Sequence, residues 1–132
     1  MTALDTNVIV RFLVRDDEAQ AQAVYARLRR AEQDREILFV PLLVLLEAIW
    51  VLGSAYGKSR SQILDALEDM KRMPIFGFEK DDAVQGLLRE GRTAKADLAD
   101  ILIAYSAQES GCKEGVTFDK RAARLAFFQM LR

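Results

Sequence analysis

The sequence predicts an α/β fold with parallel strands, because short apolar runs alternate with longer amphipathic segments along the chain. The chain has 132 residues, of which 51% are hydrophobic. This length and composition suit a single domain spanning residues 1–132 with its own core. Histidine is absent, which excludes histidine acid–base catalysis, a Ser-His-Asp triad and zinc held by histidine.

The N-terminal elements follow one another in strand–helix order. Thr2–Asp5 is predicted to be a very short strand, and a helix follows from about Asn7 with apolar residues on one face. Asp16 or Asp17 is expected to cap a second helix, in which alanine and leucine alternate with arginine. The apolar run Ile37–Val40 then predicts a buried strand.

Two helices are predicted next from the residues that open them. Pro41, whose fixed φ suits the first helical turn, opens a helix that runs to about Tyr56. Ser59 is followed three residues later by Gln62, which is a capping box. It predicts a helix that ends near Arg72.

The rest of the chain is expected to hold three strands and two helices. Asp81 starts a helix that ends near Gly91, and Asp97 opens a strongly apolar helix through Ala107. The periodicity of the last strand is ambiguous. The predicted strands are Ile75–Phe78, Gly115–Thr117 and Phe127–Leu131.

Charge and cysteine content restrict the partners and the compartment. Lysine plus arginine number 19 and aspartate plus glutamate 20, a net charge of −1. Nucleic-acid contact would therefore need a local basic patch or metal ions. The single cysteine, Cys112, cannot form an internal disulfide, which fits a reducing cytoplasm. The longest apolar run, Leu42–Leu52, is too short to span a membrane and contains Glu47.

Two aspartates follow predicted strands. Asp5 ends the first strand, and Asp119 comes just after the strand that ends at Thr117. In open α/β sheets, ligands bind beyond the carboxyl ends of the strands. Both aspartates are also well placed to cap a helix, so position alone leaves a site and a cap as alternatives.

Glu47 is a lone carboxylate in a helix that is otherwise apolar on every side. Such a helix would be buried, and a buried carboxylate is costly unless it is paired or bound to metal. We therefore favour the interpretation that Glu47 belongs to a functional site. The alternative is a small gap in the apolar surface where Glu47 faces solvent.

Asp97 and Asp100 lie three residues apart at the start of a helix, so they share a face. Capping is a strong alternative for Asp97. It is weaker for Asp100, which is followed at once by an apolar run next to the core.

Together these carboxylates predict a metal site at one edge of a parallel sheet. Clustered carboxylates repel one another, and a divalent cation relieves that repulsion. Ligands that are all oxygen favour Mg²⁺ or Mn²⁺. Such ions can hold a phosphodiester and activate water without any histidine.

Four segments resemble the motifs of the PIN domain family, in the same order and spacing and over almost the whole chain. The resemblance is strongest to VapC-type toxins of type II toxin–antitoxin systems. The segments are Leu4–Val10, Phe39–Leu52, Ala96–Ala104 and Gly111–Ala123, with the family's acids at Asp5, Glu47, Asp100 and Asp119.

The resemblance implies a three-layer α/β/α sandwich around a central parallel sheet of about five strands. It implies a Mg²⁺- or Mn²⁺-dependent endoribonuclease acting on RNA such as tRNA. It also implies a homodimer and a VapB-type antitoxin that covers the site. No membrane contact is expected.

The resemblance also suggests roles for individual residues. The catalytic and metal-binding residues would be Asp5, Glu47, Asp100 and Asp119, with Asp97 as an outer or second-metal ligand. Neighbouring polar side chains would orient the carboxylates or hold water, and basic side chains would contact RNA phosphates. The polar group is Thr6, Asn7 and Thr117, and the basic group is Arg11, Arg15, Lys120 and Arg121.

Three other functions are considered. The same site could serve a housekeeping PIN nuclease that has no antitoxin. A phosphotransfer domain using Asp5 as nucleophile is disfavoured, because Asn7 stands where a haloacid-dehalogenase phosphatase has its second aspartate. An RNA-binding module with a decayed site is disfavoured because all four acids are present.

Overall fold

Residues 1–132 are all described by a computed structural model. Their backbone contacts divide the chain into two units, Met1–Glu79 and Lys80–Arg132. Each unit has its own helices and parallel strands. The expectation of one domain over residues 1–132 stays a prediction.

The first unit contains a three-stranded parallel sheet in the order β1-β2-β3. The strands are in register at Thr2 with Leu38 and at Leu38 with Phe76. All pairing is parallel, as the sequence predicts. The elements are β1 Thr2–Ala3, α1 Thr6–Leu13, α2 Glu18–Asp34, β2 Leu38–Val40, α3 Leu42–Ser54, α4 Arg60–Lys71 and β3 Phe76–Phe78.

The second unit contains two helices and a two-stranded parallel sheet. Gly115 pairs with Phe128 and Thr117 with Met130, so the ambiguous last strand is confirmed. The elements are α5 Asp81–Glu90, α6 Leu98–Glu109, β4 Gly115–Thr117, a 3₁₀ turn at Ala122–Arg124 and β5 Phe128–Met130. The α/β class is thus confirmed, with its five strands in a sheet of three and a sheet of two.

Local capping chemistry sets several helix starts. Of the two aspartates considered for α2, Asp17 is the cap, and its carboxylate accepts the backbone N–H of Gln20 at 3.0 Å. The capping box of Ser59 and Gln62 is present at α4. These polar groups satisfy backbone donors that a helix start leaves unpaired.

The start of α3 is satisfied from elsewhere in the chain. Pro41 precedes the helix and provides no side-chain cap. Instead, Oε1 of Glu79 accepts the backbone N–H of Leu42 at 2.8 Å. The end of β3 therefore fixes the start of α3, although the two are distant in sequence.

Apolar side chains form the core of each unit. Leu38, Leu45 and Leu67 are among the most deeply buried in the first unit, and Leu87 and Ile101 in the second. No charged or polar residue is fully buried. None of the helices combines the length and the apolar character that crossing a membrane requires.

Candidate active-site carboxylates

Asp5 follows β1 and forms the N-cap of α1. Its carboxylate is exposed, and Oδ1 accepts the backbone N–H of Val8 at 3.0 Å. The capping alternative is therefore realised at this position. Asp5 also lies beside Asn7 and Arg11 in the lining of a cleft of about 270 Å³ between α1 and α2. Oδ1 of Asp5 thus caps α1, while the residue also lines the cleft.

Glu47 is exposed, so the prediction that this carboxylate is buried was wrong. The buried face of α3 is formed by apolar residues that include Leu45 and Leu52. Glu47 lies on the opposite face with Leu43, which is 79% exposed, and Trp50, which is 69% exposed. The reason for the error is that an all-apolar helix pattern does not show which face the fold leaves open. Trp50, in the same apolar run, lies on this open face as well.

Asp97, Asp100 and Asp119 interact electrostatically within the second unit. Asp100 is half-buried in the first turn of α6, and Asp119 follows β4. Burial is the main factor that raises the pKa of Asp100, and the charges of Asp97 and Asp119 raise it further. The nearby charge of Arg121 opposes this rise in the pKa of Asp100. The charges of two predicted acids, Asp97 and Asp119, therefore act on a third, Asp100.

Asp97 occupies the N-cap position of α6 but makes no side-chain cap hydrogen bond. Its Oδ1 lies 3.0 Å from Nη2 of Arg121. The expectation that the Asp97 side chain caps α6 is thus wrong. The carboxylate pairs with the Arg121 guanidinium instead of accepting a backbone N–H of the helix. No local pattern in the sequence indicates this pair, since the two residues are far apart in the chain.

Asp119 is oriented by a tight local turn. Its backbone N–H donates to Oγ1 of Thr117 at 3.0 Å, and its Oδ1 accepts the backbone N–H of Arg121 at 2.8 Å. Thr117 therefore contacts the backbone of Asp119 and not its carboxylate. In the first unit, Thr6 is half-buried and Asn7 is exposed, both at the start of α1. Their roles beside Asp5 stay predictions.

The basic residues differ in how far they are already engaged. Arg11 donates to the Tyr56 hydroxyl at 2.7 Å and to Oδ1 of Asp16 at 3.0 Å, and its Nε donates to Gln20. The hydrogen bond with Tyr56 is the main factor that raises the pKa of Arg11. Arg11 thus ties α1 to its neighbours, a role that sequence analysis missed.

The other three basic candidates are more exposed. The Arg15 guanidinium lies 4.6 Å from the centre of the Tyr25 ring, and Nη2 lies 3.8 Å from Oε1 of Glu18. Lys120 is exposed beside Asp119, and Arg121 is paired with Asp97. Their contact with RNA stays a prediction.

The carboxylates suit a hard divalent cation in their chemistry, since every donor is an oxygen. The electrostatic rise in the pKa of Asp100 shows that Asp97 and Asp119 are near enough to repel it. The structure nevertheless contains no group of three or more acidic or cysteine side chains placed to hold a metal ion. The metal ligands named from the sequence therefore stay predictions.

Comparison with known proteins gives two similarities that cover nearly the whole chain. The family model of the PIN domain matches residues 2–128. A VapC ribonuclease of Aquifex aeolicus (strain VF5) is 27% identical over 127 residues, which is 96% of this chain and 93% of that protein. Both agree with the resemblance drawn from the four sequence segments.

Proposed function

Because the chain belongs to the PIN domain family, we propose that it is a Mg²⁺- or Mn²⁺-dependent endoribonuclease. The observation that carries the proposal is that Arg121 contacts both Asp97 and Asp119, while the half-buried Asp100 lies one helical turn after Asp97. Neighbouring carboxylates repel one another, and a divalent cation relieves that repulsion. Similarity to a VapC ribonuclease supports RNA as the substrate.

Asp5, Glu47, Asp100 and Asp119 are the proposed metal ligands, with Asp97 as an outer or second-metal ligand. A bound divalent ion supplies positive charge to the phosphodiester and lowers the pKa of attacking water. Asp100 lies in the first turn of α6, and its carboxylate is half-buried. It suits the role of a metal ligand because no other side chain holds that carboxylate by a hydrogen bond or ion pair. The turn that Thr117 starts fixes the direction of the Asp119 carboxylate.

We further propose that the chain is the toxin of a VapBC-type pair in the cytoplasm. Its partners would be an RNA such as tRNA, a VapB-type antitoxin and a second copy of the chain. The support is the similarity to a VapC ribonuclease over almost the whole of both chains. Expression of the wild type in a bacterial host should arrest growth, and Asp100→Asn should not. Growth arrest by both proteins would contradict a ribonuclease toxin that works through Asp100.

Cleavage of purified total tRNA with Mn²⁺ tests the enzymatic proposal directly. The wild type should cut, whereas addition of EDTA or the substitution Asp100→Asn should remove most of the activity. Glu114→Gln is the matched control, since Glu114 is an exposed acid in the loop before β4 of the same unit. It should cut at the wild-type rate. Equal cleavage by Asp100→Asn would remove this residue from the mechanism.

A further inference from the structure

Asp97 is used differently from most aspartates that precede a helix. An aspartate at this position ordinarily accepts a backbone N–H of the first turn. Asp97 leaves the first turn of α6 without a side-chain cap, and its Oδ1 pairs with Nη2 of Arg121 at 3.0 Å. The ion pair with Arg121 therefore takes the place of a helix cap that would stabilise the start of α6.

Arg121 contacts two of the three neighbouring aspartates Asp97, Asp100 and Asp119. Its guanidinium pairs with Asp97, and its backbone N–H donates to Oδ1 of Asp119. Arg121 is thus an internal counter-ion for the cluster from which the proposed metal ligands come.

The ion pair between Arg121 and Asp97 is weak enough for a cation to replace the guanidinium at the Asp97 carboxylate. The side chains are 61% and 54% exposed, and ion pairs in such positions contribute little to stability. A divalent ion carries twice the charge of a guanidinium, so it competes effectively for a carboxylate oxygen. A guanidinium that leaves Asp97 has the planar, forked geometry that binds phosphate.

We infer that Arg121 is a positioning residue that holds Asp97 until a divalent cation takes over that carboxylate, after which its guanidinium binds a phosphate of the RNA substrate. The inference rests on the proposed function and extends it. It assigns one side chain two partners in turn, an aspartate and then a phosphate. It also predicts opposite effects of Arg121 on metal affinity and on substrate affinity.

Titration calorimetry with Mn²⁺ alone, on the full chain, tests the first step. Arg121→Gln should bind Mn²⁺ about threefold to fivefold more tightly than the wild type, because the competing ion pair is gone. Lys120→Gln removes the same charge from the adjacent exposed position and should change the affinity less than about twofold. Arg121→Lys keeps the charge and should lie between the wild type and Arg121→Gln.

A double-mutant cycle isolates the exchange at Asp97 from the general effect of charge. In an Asp97→Asn background, Arg121→Gln should no longer tighten Mn²⁺ binding beyond the effect of Lys120→Gln. In tRNA cleavage at saturating Mn²⁺, Arg121→Gln should raise KM severalfold. A residue needed only for folding would weaken metal binding and substrate binding together, so the opposite signs identify the proposed role.

The outcomes separate the inference from the function on which it rests. Absence of Mn²⁺ binding by the wild type and by every variant would overturn the proposed function. Mn²⁺ binding by the wild type, with equal affinities for Arg121→Gln and Lys120→Gln, would overturn the role of Arg121 alone. Thermal melting curves that match the wild type establish that each variant is folded.

Discussion

Asp100 is a half-buried carboxylate in the first turn of α6. Burial and the charges of Asp97 and Asp119 raise its pKa in the folded chain. The folded protein therefore binds the Asp100 proton more tightly than the unfolded chain does. Stability from this group is present at low pH and is lost as pH rises through the raised pKa.

Asp100→Asn is accordingly expected to raise the melting temperature at pH 7 in the absence of divalent metal. The difference from the wild type should shrink as pH falls through the raised pKa towards the ordinary value of 3.8. Melting curves from pH 7 to low pH measure this, with Glu114→Gln as the control for loss of one negative charge. A lower melting temperature for Asp100→Asn at pH 7 would contradict the assigned direction.

At the residue scale, the acids are identifiable from the sequence, but their partners are not. Asp5, Asp100 and Asp119 were recognised from their positions after strands or next to an apolar run. The pairing of Asp97 with Arg121 joins residues that only the fold brings together. The same is true of Arg11 and Tyr56, which are 45 positions apart. The caps at Asp5, Asp17 and Ser59 are predictable, because a cap involves neighbours in sequence, whereas the expected cap at Asp97 is replaced by a distant partner.

Helix α3 shows what an element-scale pattern leaves undetermined. Its sequence is apolar in almost every position, which predicts a helix but not the orientation of that helix. Leu52 is buried, whereas Trp50, two positions earlier, is 69% exposed. Only the packing of α3 against α1 and α4 fixes this difference.

Substitution of these two residues by alanine should therefore have unequal effects. Leu52→Ala is expected to lower the free energy of unfolding by about 2–5 kcal/mol, because it leaves a cavity in the core. Trp50→Ala should change that free energy in the monomer by no more than about 0.5 kcal/mol. Urea denaturation measures both at a low protein concentration. A larger loss for Trp50→Ala would mean that its ring is buried in solution.

Two helical glycines provide a second test at this scale. A Cβ on Gly86 of α5 would lie 2.4 Å from Cδ1 of Tyr105, so Gly86 permits the close packing of α5 on α6. Gly86→Ala should lower the free energy of unfolding by about 1–3 kcal/mol through this overpacking.

Gly53 of α3 is the matched control. A Cβ there would meet only Cδ1 of Ile63 at 3.9 Å, an ordinary contact. Gly53→Ala should raise the free energy of unfolding by about 0.5–1 kcal/mol, since alanine is the better helix former. Equal destabilisation by both substitutions would show that the contact of Gly86 with Tyr105 is not the cause.

At the scale of the whole molecule, a net charge of −1 makes a bulk basic surface an unsuitable route to RNA. The proposed route is a metal ion held by carboxylates, and this proposal has a thermodynamic consequence for the entire chain. A ligand that binds only the folded state stabilises it by mass action. At a Mn²⁺ concentration 100 times the dissociation constant, the gain is about 2.7 kcal/mol.

The melting temperature should therefore rise by several degrees when Mn²⁺ is added and fall back when EDTA removes it. Asp5→Asn and Asp119→Asn should each reduce that rise, and they are compared separately because they belong to different units. Glu114→Gln should keep the full rise. An equal rise in all three variants would place the bound ion away from the proposed ligands. No rise in the wild type would contradict a metal site formed by these carboxylates. The rise also measures the metal site without reference to RNA, so it stays informative even if the cleaved RNA is narrowly selected.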